Sequence, residues 1–141
     1  MQQIRPWLFI GSYEETADRQ ALDAAGISAM LQLAAPREQA GIETLFVRVD
    51  DAALLPGKNI KQGVDFVRAQ KSAGHSVLIA CRQGISRSSA FAIAALAEEE
   101  ELSLQVAHQI VSEAHPQARP HPSLLISLMH YYDDKSIMQE G

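Results

Sequence analysis

Val77-Leu78-Ile79-Ala80-Cys81-Arg82-Gln83-Gly84-Ile85-Ser86-Arg87-Ser88 contains the only cysteine of the chain, followed after five residues by an arginine and a serine. The apolar run 77–80 predicts a buried strand, and the apolar segment 89–96 predicts a helix. A strand, a tight loop and a helix N-terminus in succession form an anion site. The first amides of a helix lack partners, and its dipole adds partial positive charge. Gly84 gives the loop backbone angles closed to other residues, so that successive amides can converge on one oxyanion. Arg87 adds a planar fork of donors that matches two phosphate oxygens. A thiol at the rim of such a nest is expected to ionise readily, because the field that draws phosphate also stabilises thiolate. The loop 82–87 is thus read as a phosphate cradle, with Cys81 as its nucleophile.

Outward from this stretch, residues 7–10 read as a first strand. Residues 13–25 carry Ala17, Ala21, Leu22 and Ala25 at helical spacing, with Gly26 as the stop. Residues 27–33 read as a strand, broken by Pro36. Leu45, Val47 and Val49 alternate in a third strand, and 54–59, with Pro56 and Gly57, reads as loop. Ile60, Val64 and Val67 mark one face of a helix running to about Ala73, and Gly74 ends it. Residues 90–97 are apolar nearly all round, which predicts a buried helix. The glutamates 98–101 that follow read as a solvated connection. Leu104, Ala107, Ile110 and Val111 predict another amphipathic helix. Pro122 opens the last one, with Leu124, Leu125, Leu128, Met129 and Tyr132 inward. Strands alternating with helices, then helices alone, predict an α/β fold. The expected architecture is a central, mostly parallel sheet of four to five strands flanked by helices, with a helical C-terminal half. One domain is expected over 1–141, with its core at about 7–132.

The chain has 141 residues, 47% apolar and 21% charged, with a formal net charge of −5. These proportions describe a globular protein able to bury a core without disulfide or metal. The negative balance argues against nucleic acid or an anionic membrane as partner. A lone cysteine fits a reducing compartment, and residues 1–5 lack the pattern of a signal peptide, so a cytoplasmic location is expected. His75, His108, His115, His121 and His130 show no metal-ligand spacing. No metal or organic cofactor is expected. Oligomeric state is not legible.

The run Cys81 to Ser88 resembles the C-x5-R-[ST] signature of the cysteine-based protein tyrosine phosphatases, most closely the small dual-specificity group. Trp7-Leu8-Phe9-Ile10-Gly11-Ser12 is similar to that group's opening strand. Val47-Arg48-Val49-Asp50-Asp51 is similar to the strand and loop that deliver its general acid. Arg119-Pro120-His121-Pro122 falls where the family enters its last helix. The resemblance covers about residues 7–129. It departs at Ala80, where the family usually carries a histidine that orders the loop and tunes the thiolate.

The resemblance implies hydrolysis of phosphomonoesters through a phosphocysteine. Cys81 attacks phosphorus while Arg87 and the amides from Arg82 through Gln83, Gly84, Ile85 and Ser86 hold the oxygens. Asp51 acts as acid and then base, with adjacent Asp50 as the competing assignment. The apolar odd-numbered positions before it point to residue 51. Ser88 can cap the following helix and, as the family implies, hydrogen-bond the cysteine sulfur; the two roles are compatible. His121 is read as structural, close to the loop. Expected substrates are phosphorylated proteins or small phosphomonoesters, with the polar region 36–43 lining a shallow pocket and Arg82 the one obvious extra cation. Ala80 motivates a rival reading, a phospho-binding module with weak or no turnover. Sulfur transfer, as in rhodanese-like proteins, would account for the cysteine loop but not for a separate acid.

Overall fold

The computed structural model describes residues 1–139. Its strands are β1 (Gln2–Arg5), β2 (Leu8–Ser12), β3 (Ile27–Gln32), β4 (Glu43–Phe46) and β5 (Ser76–Cys81). The helices are α1 (Arg19–Ala24), α2 (Gly57–Ser72), α3 (Arg87–Glu100), α4 (Leu104–Ala114) and α5 (Pro122–Tyr132), with short 3-10 turns at Glu14–Ala17 and Ser136–Gln139. One five-stranded sheet runs β1-β2-β5-β3-β4. Among the described residues only the edge pair β1–β2 is antiparallel. The α/β architecture expected from the sequence is therefore present.

Alternation along β5 sorts side chains between the two faces of the sheet. Val77, Ile79 and Cys81 join the large core, whereas Leu78 and Ala80 join a smaller cluster with Phe9, Leu22, Met30 and Ile42. Both faces are covered, which is why this strand reads as a continuous apolar run rather than an alternating one. The nucleophile candidate faces the thick layer containing α3. That helix is buried at every position from Ser88 to Ala97, and it lies close against α2. A methyl group at Gly63 would come within 2.4 Å of the Phe91 ring, so only glycine allows the two helices this approach.

Several sequence expectations give way locally. β1 was not anticipated, and with a single apolar position buried it offers little pattern to read. The helix expected over 13–25 is broken by Asp18, whose carboxylate caps α1 through the Ala21 amide at 3.1 Å. β4 ends at Phe46, but Val47 and Val49 remain buried and still donate to the Gln32 and Leu33 carbonyls. The expected loop 54–59 is shortened, because α2 already begins at Gly57, after Pro56.

The acidic run is no solvated connection. Glu98, Glu99 and Glu100 lie in α3 and pair with Arg68, with Arg68 and Lys71, and with Arg5 respectively, at 2.7–3.0 Å. These bridges tie α3 to α2 and to the sheet edge, and Glu101 closes the helix in a left-handed conformation.

Candidate active site

Cys81 ends β5 at the C-terminal edge of the parallel strands, and its residue is 3% exposed. Ligands of open α/β sheets gather at this edge, where the loops leave the strands. The chain turns through 82–86 and enters α3 at Arg87. Gly84 adopts φ +72°, and a methyl group there would lie 2.7 Å from the Gly11 backbone. Glycine is thus required both by the turn and by the close passage over β2.

The loop carbonyls are held from outside. Tyr13 N–H donates to the Arg82 oxygen at 3.4 Å, and the His115 ring meets the Gly84 oxygen at 2.8 Å. The Ile85 oxygen accepts from Arg119 N–H at 2.9 Å and from the Ser89 hydroxyl at 2.7 Å. A trans peptide points its C=O and N–H in opposite directions. Carbonyls tied outward therefore turn the amides of the following residues toward the centre. The Gly84 N–H already reaches the Cys81 sulfur at 3.2 Å.

Burial pushes the Cys81 thiol toward a higher pKa. The Ser88 hydroxyl and the amides of Ser88, Gly84 and Ile85 outweigh it and leave the pKa below the ordinary thiol value. Ser88 is fully buried, and its hydroxyl makes no well-formed hydrogen bond, yet it lies near enough to the sulfur to favour ionisation. A thiolate would supply the acceptor this hydroxyl lacks. The capping role weighed for Ser88 falls away, because Ser86 occupies the N-cap position and makes no side-chain cap.

Asp51 and Cys81 line the same cavity, of about 620 Å³, with Arg82, Gln83, Ile85, Ser86 and the segment 119–122. The Ser86 hydroxyl donates to the Asp51 carboxylate at 2.7 Å and accepts from the His121 amide at 3.0 Å. Asp50 instead lies 3.6 Å from Arg48, outside that cavity. Of the two, Asp51 is the carboxylate that shares the thiol's cavity. His121 serves twice, lining the cavity and capping α5 through the Ser123 amide at 3.1 Å.

Arg87 does not line the open cavity. Its Nη1 donates to the Val49 carbonyl at 2.9 Å, joining the phosphate loop to the segment that carries Asp51. The polar stretch 36–43, expected to line the pocket, does not; the wall comes from 119–122. Arg37, from that stretch, stacks instead on Tyr13 at 4.4 Å, with Arg82 on the same ring at 5.6 Å. Arg37, Arg82, Arg87 and Arg119 make no ion pair among the described residues, whereas Arg5, Arg19, Arg48 and Arg68 all do. The loop thus has more cationic company than the sequence revealed. Arg119 reaches it from a separate segment, Arg37 shares the Tyr13 ring with Arg82, and no spacing rule connects either to Cys81. His115 was likewise missed as a neighbour of the loop.

Among the described residues no group of three histidine, cysteine, aspartate or glutamate side chains is placed to hold a metal ion. A buried sulfur biased toward thiolate, inward amides, nearby arginines and a carboxylate across the cavity suit in-line attack on a phosphoryl group.

Residues 8–134 match the family described as "Dual specificity phosphatase, catalytic domain". A mouse relative, dual specificity protein phosphatase 19, is 28% identical over 132 residues, covering 91% of this chain and 60% of the relative. Human protein phosphatase Slingshot homolog 3 is 33% identical over 135 residues, covering 92% of this chain and 20% of the relative. The chain thus spans less than two thirds of either relative. Among solved structures, human DUSP28 superposes with a TM-score of 0.87 at 28% identity, covering 94% of this chain and 96% of that one. A mouse putative dual specificity phosphatase complexed with zinc tungstate gives a TM-score of 0.87 at 28% identity, covering 94% and 86% respectively.

Proposed function

The chain belongs to the dual-specificity phosphatase family, and from that premise we propose that it hydrolyses phosphorylated protein side chains through a phosphocysteine on Cys81. The observation that carries this reading is the placing of two groups from separate elements on one cavity. They are the Cys81 sulfur, bonded by the Gly84 amide, and the Asp51 carboxyl.

In the first step the Cys81 thiolate attacks phosphorus in line. The S–P bond forms as the ester P–O bond breaks, and protonated Asp51 gives its proton to the departing oxygen. Loop amides and the Arg87 donors not committed to Val49 hold the non-bridging oxygens. Such fixed donors need no reorganisation when charge spreads in the transition state. In the second step water attacks phosphorus, Asp51 takes the proton, and the S–P bond breaks. The Ser88 hydroxyl then stabilises the leaving thiolate. The residues assigned to catalysis are Cys81, Arg87, Asp51 and Ser88, with Arg82 to Ser86 contributing amides.

The cavity wall consists of the short segment 119–122 and the exposed side chains of Arg82, Gln83 and Asp51. An opening built this way suits phosphotyrosine and also the shorter phosphoserine and phosphothreonine. The unpaired arginines favour anionic substrates, and the excess negative charge of the chain disfavours nucleic acid. No helix among the described residues is long and apolar enough to cross a membrane. Residues 1–141 are proposed to act as one phosphatase domain, and the lone cysteine suits the reducing cytoplasm.

The test is hydrolysis of a small aryl phosphate by the purified protein, with and without Cys81→Ser. Turnover lost in the variant is the expected result. Oxyanion binding without turnover at any pH would instead support a phospho-binding module, the reading that Ala80 motivates.

A further inference from the structure

We propose that His115 is a positioning residue for the phosphate loop, acting through the Gly84–Ile85 peptide. The inference rests on the phosphatase reading for its purpose but not for its test. His115 follows α4, is 5% exposed, and is fixed by its own amide, which donates to the Val111 carbonyl at 2.8 Å. Its Nε2 lies 2.8 Å from the Gly84 carbonyl oxygen. A carbonyl can only accept, so Nε2 must carry the proton.

The consequence follows from one peptide plane. The Gly84–Ile85 peptide is trans, like every peptide bond among the described residues, so the Gly84 C=O and the Ile85 N–H point in opposite directions. With the oxygen anchored outward on His115, the Ile85 amide faces inward, where it is one of the groups favouring the Cys81 thiolate. Glycine at φ +72° offers little resistance of its own to rotation of this peptide. Rotated, the carbonyl would face the cavity and repel both thiolate and phosphate. The Gly11 backbone occupies the place a side chain on Gly84 would need, and the imidazole holds the Gly84 carbonyl. His115 is not among the residues that line the cavity.

The test compares His115→Met, which fills the space without a donor, with His115→Gln, whose amide can still donate. The rate of Cys81 alkylation by iodoacetamide is followed against pH, and inorganic phosphate binding is titrated in the same folded proteins. His115→Met should raise the ionisation midpoint by about one pH unit and weaken phosphate binding roughly tenfold. His115→Gln should recover most of both. A merely structural role would lower the melting temperature of His115→Met and leave its alkylation midpoint unchanged, which would overturn the inference. If His115→Met does not fold, nitrogen NMR of the unmodified protein decides. A proton on Nε2 supports the proposal, and a proton on Nδ1 alone overturns it. None of these measurements needs turnover, so an inactive protein would sink the phosphatase reading while leaving this inference testable.

Discussion

The segment 81–87 and the segment 49–55 meet at one cavity but are held differently. In the first, carbonyls are anchored by backbone amides, a buried ring and the Ser89 hydroxyl, and Gly84 passes too close to the Gly11 backbone to carry a side chain. In the second, Asp50, Asp51, Ala52, Ala53 and Leu54 are all exposed, and Ala52 takes a left-handed conformation at φ +65°. Beyond the Val49 amide, which donates to the Leu33 carbonyl, side chains supply its ties. Arg87 holds Val49 at 2.9 Å, Ser86 holds Asp51 at 2.7 Å, and Ser127 receives the Leu55 amide at 2.8 Å. The contrast fits a division of labour. Transition-state stabilisation needs donors fixed in advance, whereas an acid must meet leaving groups of different sizes and can sit on a looser loop.

The largest expected effect is at the rigid segment. Cys81→Ser should reduce turnover by ~10⁴–10⁶, the scale of losing a nucleophile, while phosphate still binds the loop. Parallel assays of hydrolysis and oxyanion affinity check this, and equal loss of both would mean that the loop itself had collapsed.

At the looser segment, Asp51→Asn should slow substrates with poor leaving groups by ~10²–10⁴ and activated aryl esters much less. Asp50→Asn should change neither, since its carboxylate faces Arg48 outside the cavity. A leaving-group series on both variants decides, and the opposite pattern would move the acid by one residue.

The pH profile also bears on the rigid segment. The Cys81 pKa lies below the ordinary thiol value, and only thiolate attacks. As pH falls through the lowered value, kcat/KM should decline by about tenfold per unit. The alkylation rate should fall with the same midpoint, and a midpoint at the free-cysteine value, ~8.5, would show that the amides fail to stabilise the anion.

Ser86→Ala probes the junction, with the smallest expected effect. Removing the hydroxyl frees the Asp51 carboxylate and leaves the His121 amide without its acceptor. A loss of about tenfold is expected for poor leaving groups, in line with one hydrogen bond to a charged group. An equal loss for activated esters would place the defect in the phosphate loop instead.

The sequence showed the rigid half of the site better than the loose half. Strand, Gly84 turn and helix are consecutive, so local spacing carries Cys81, Arg87 and Ser88 together. The place of residue 51 on the cavity was reachable because Val47 and Val49 stay buried even after β4 ends, which preserves the alternation that points to it. The supports were illegible for a physical reason. Tyr13, His115 and Arg119 reach the loop only through tertiary folding, two of them by backbone amides that any residue but proline supplies. Local pattern failed where a cap or a charge pair overrode it. Asp18 split the expected first helix, and basic partners drew the glutamates into α3. Ala80 is also clearer in three dimensions. Its side chain enters the small apolar cluster on the opposite face from Cys81. An imidazole there would press on Leu78, Phe9 and their neighbours rather than enter open space.

The central claim, a covalent phosphocysteine, is tested most directly in the Asp51→Asn protein, where the second step lacks its base. Rapid acid quench during turnover of an activated aryl phosphate, followed by peptide mass spectrometry, should find one phosphoryl group on the Cys81 peptide. Turnover with that peptide unmodified at every quench time would contradict the account.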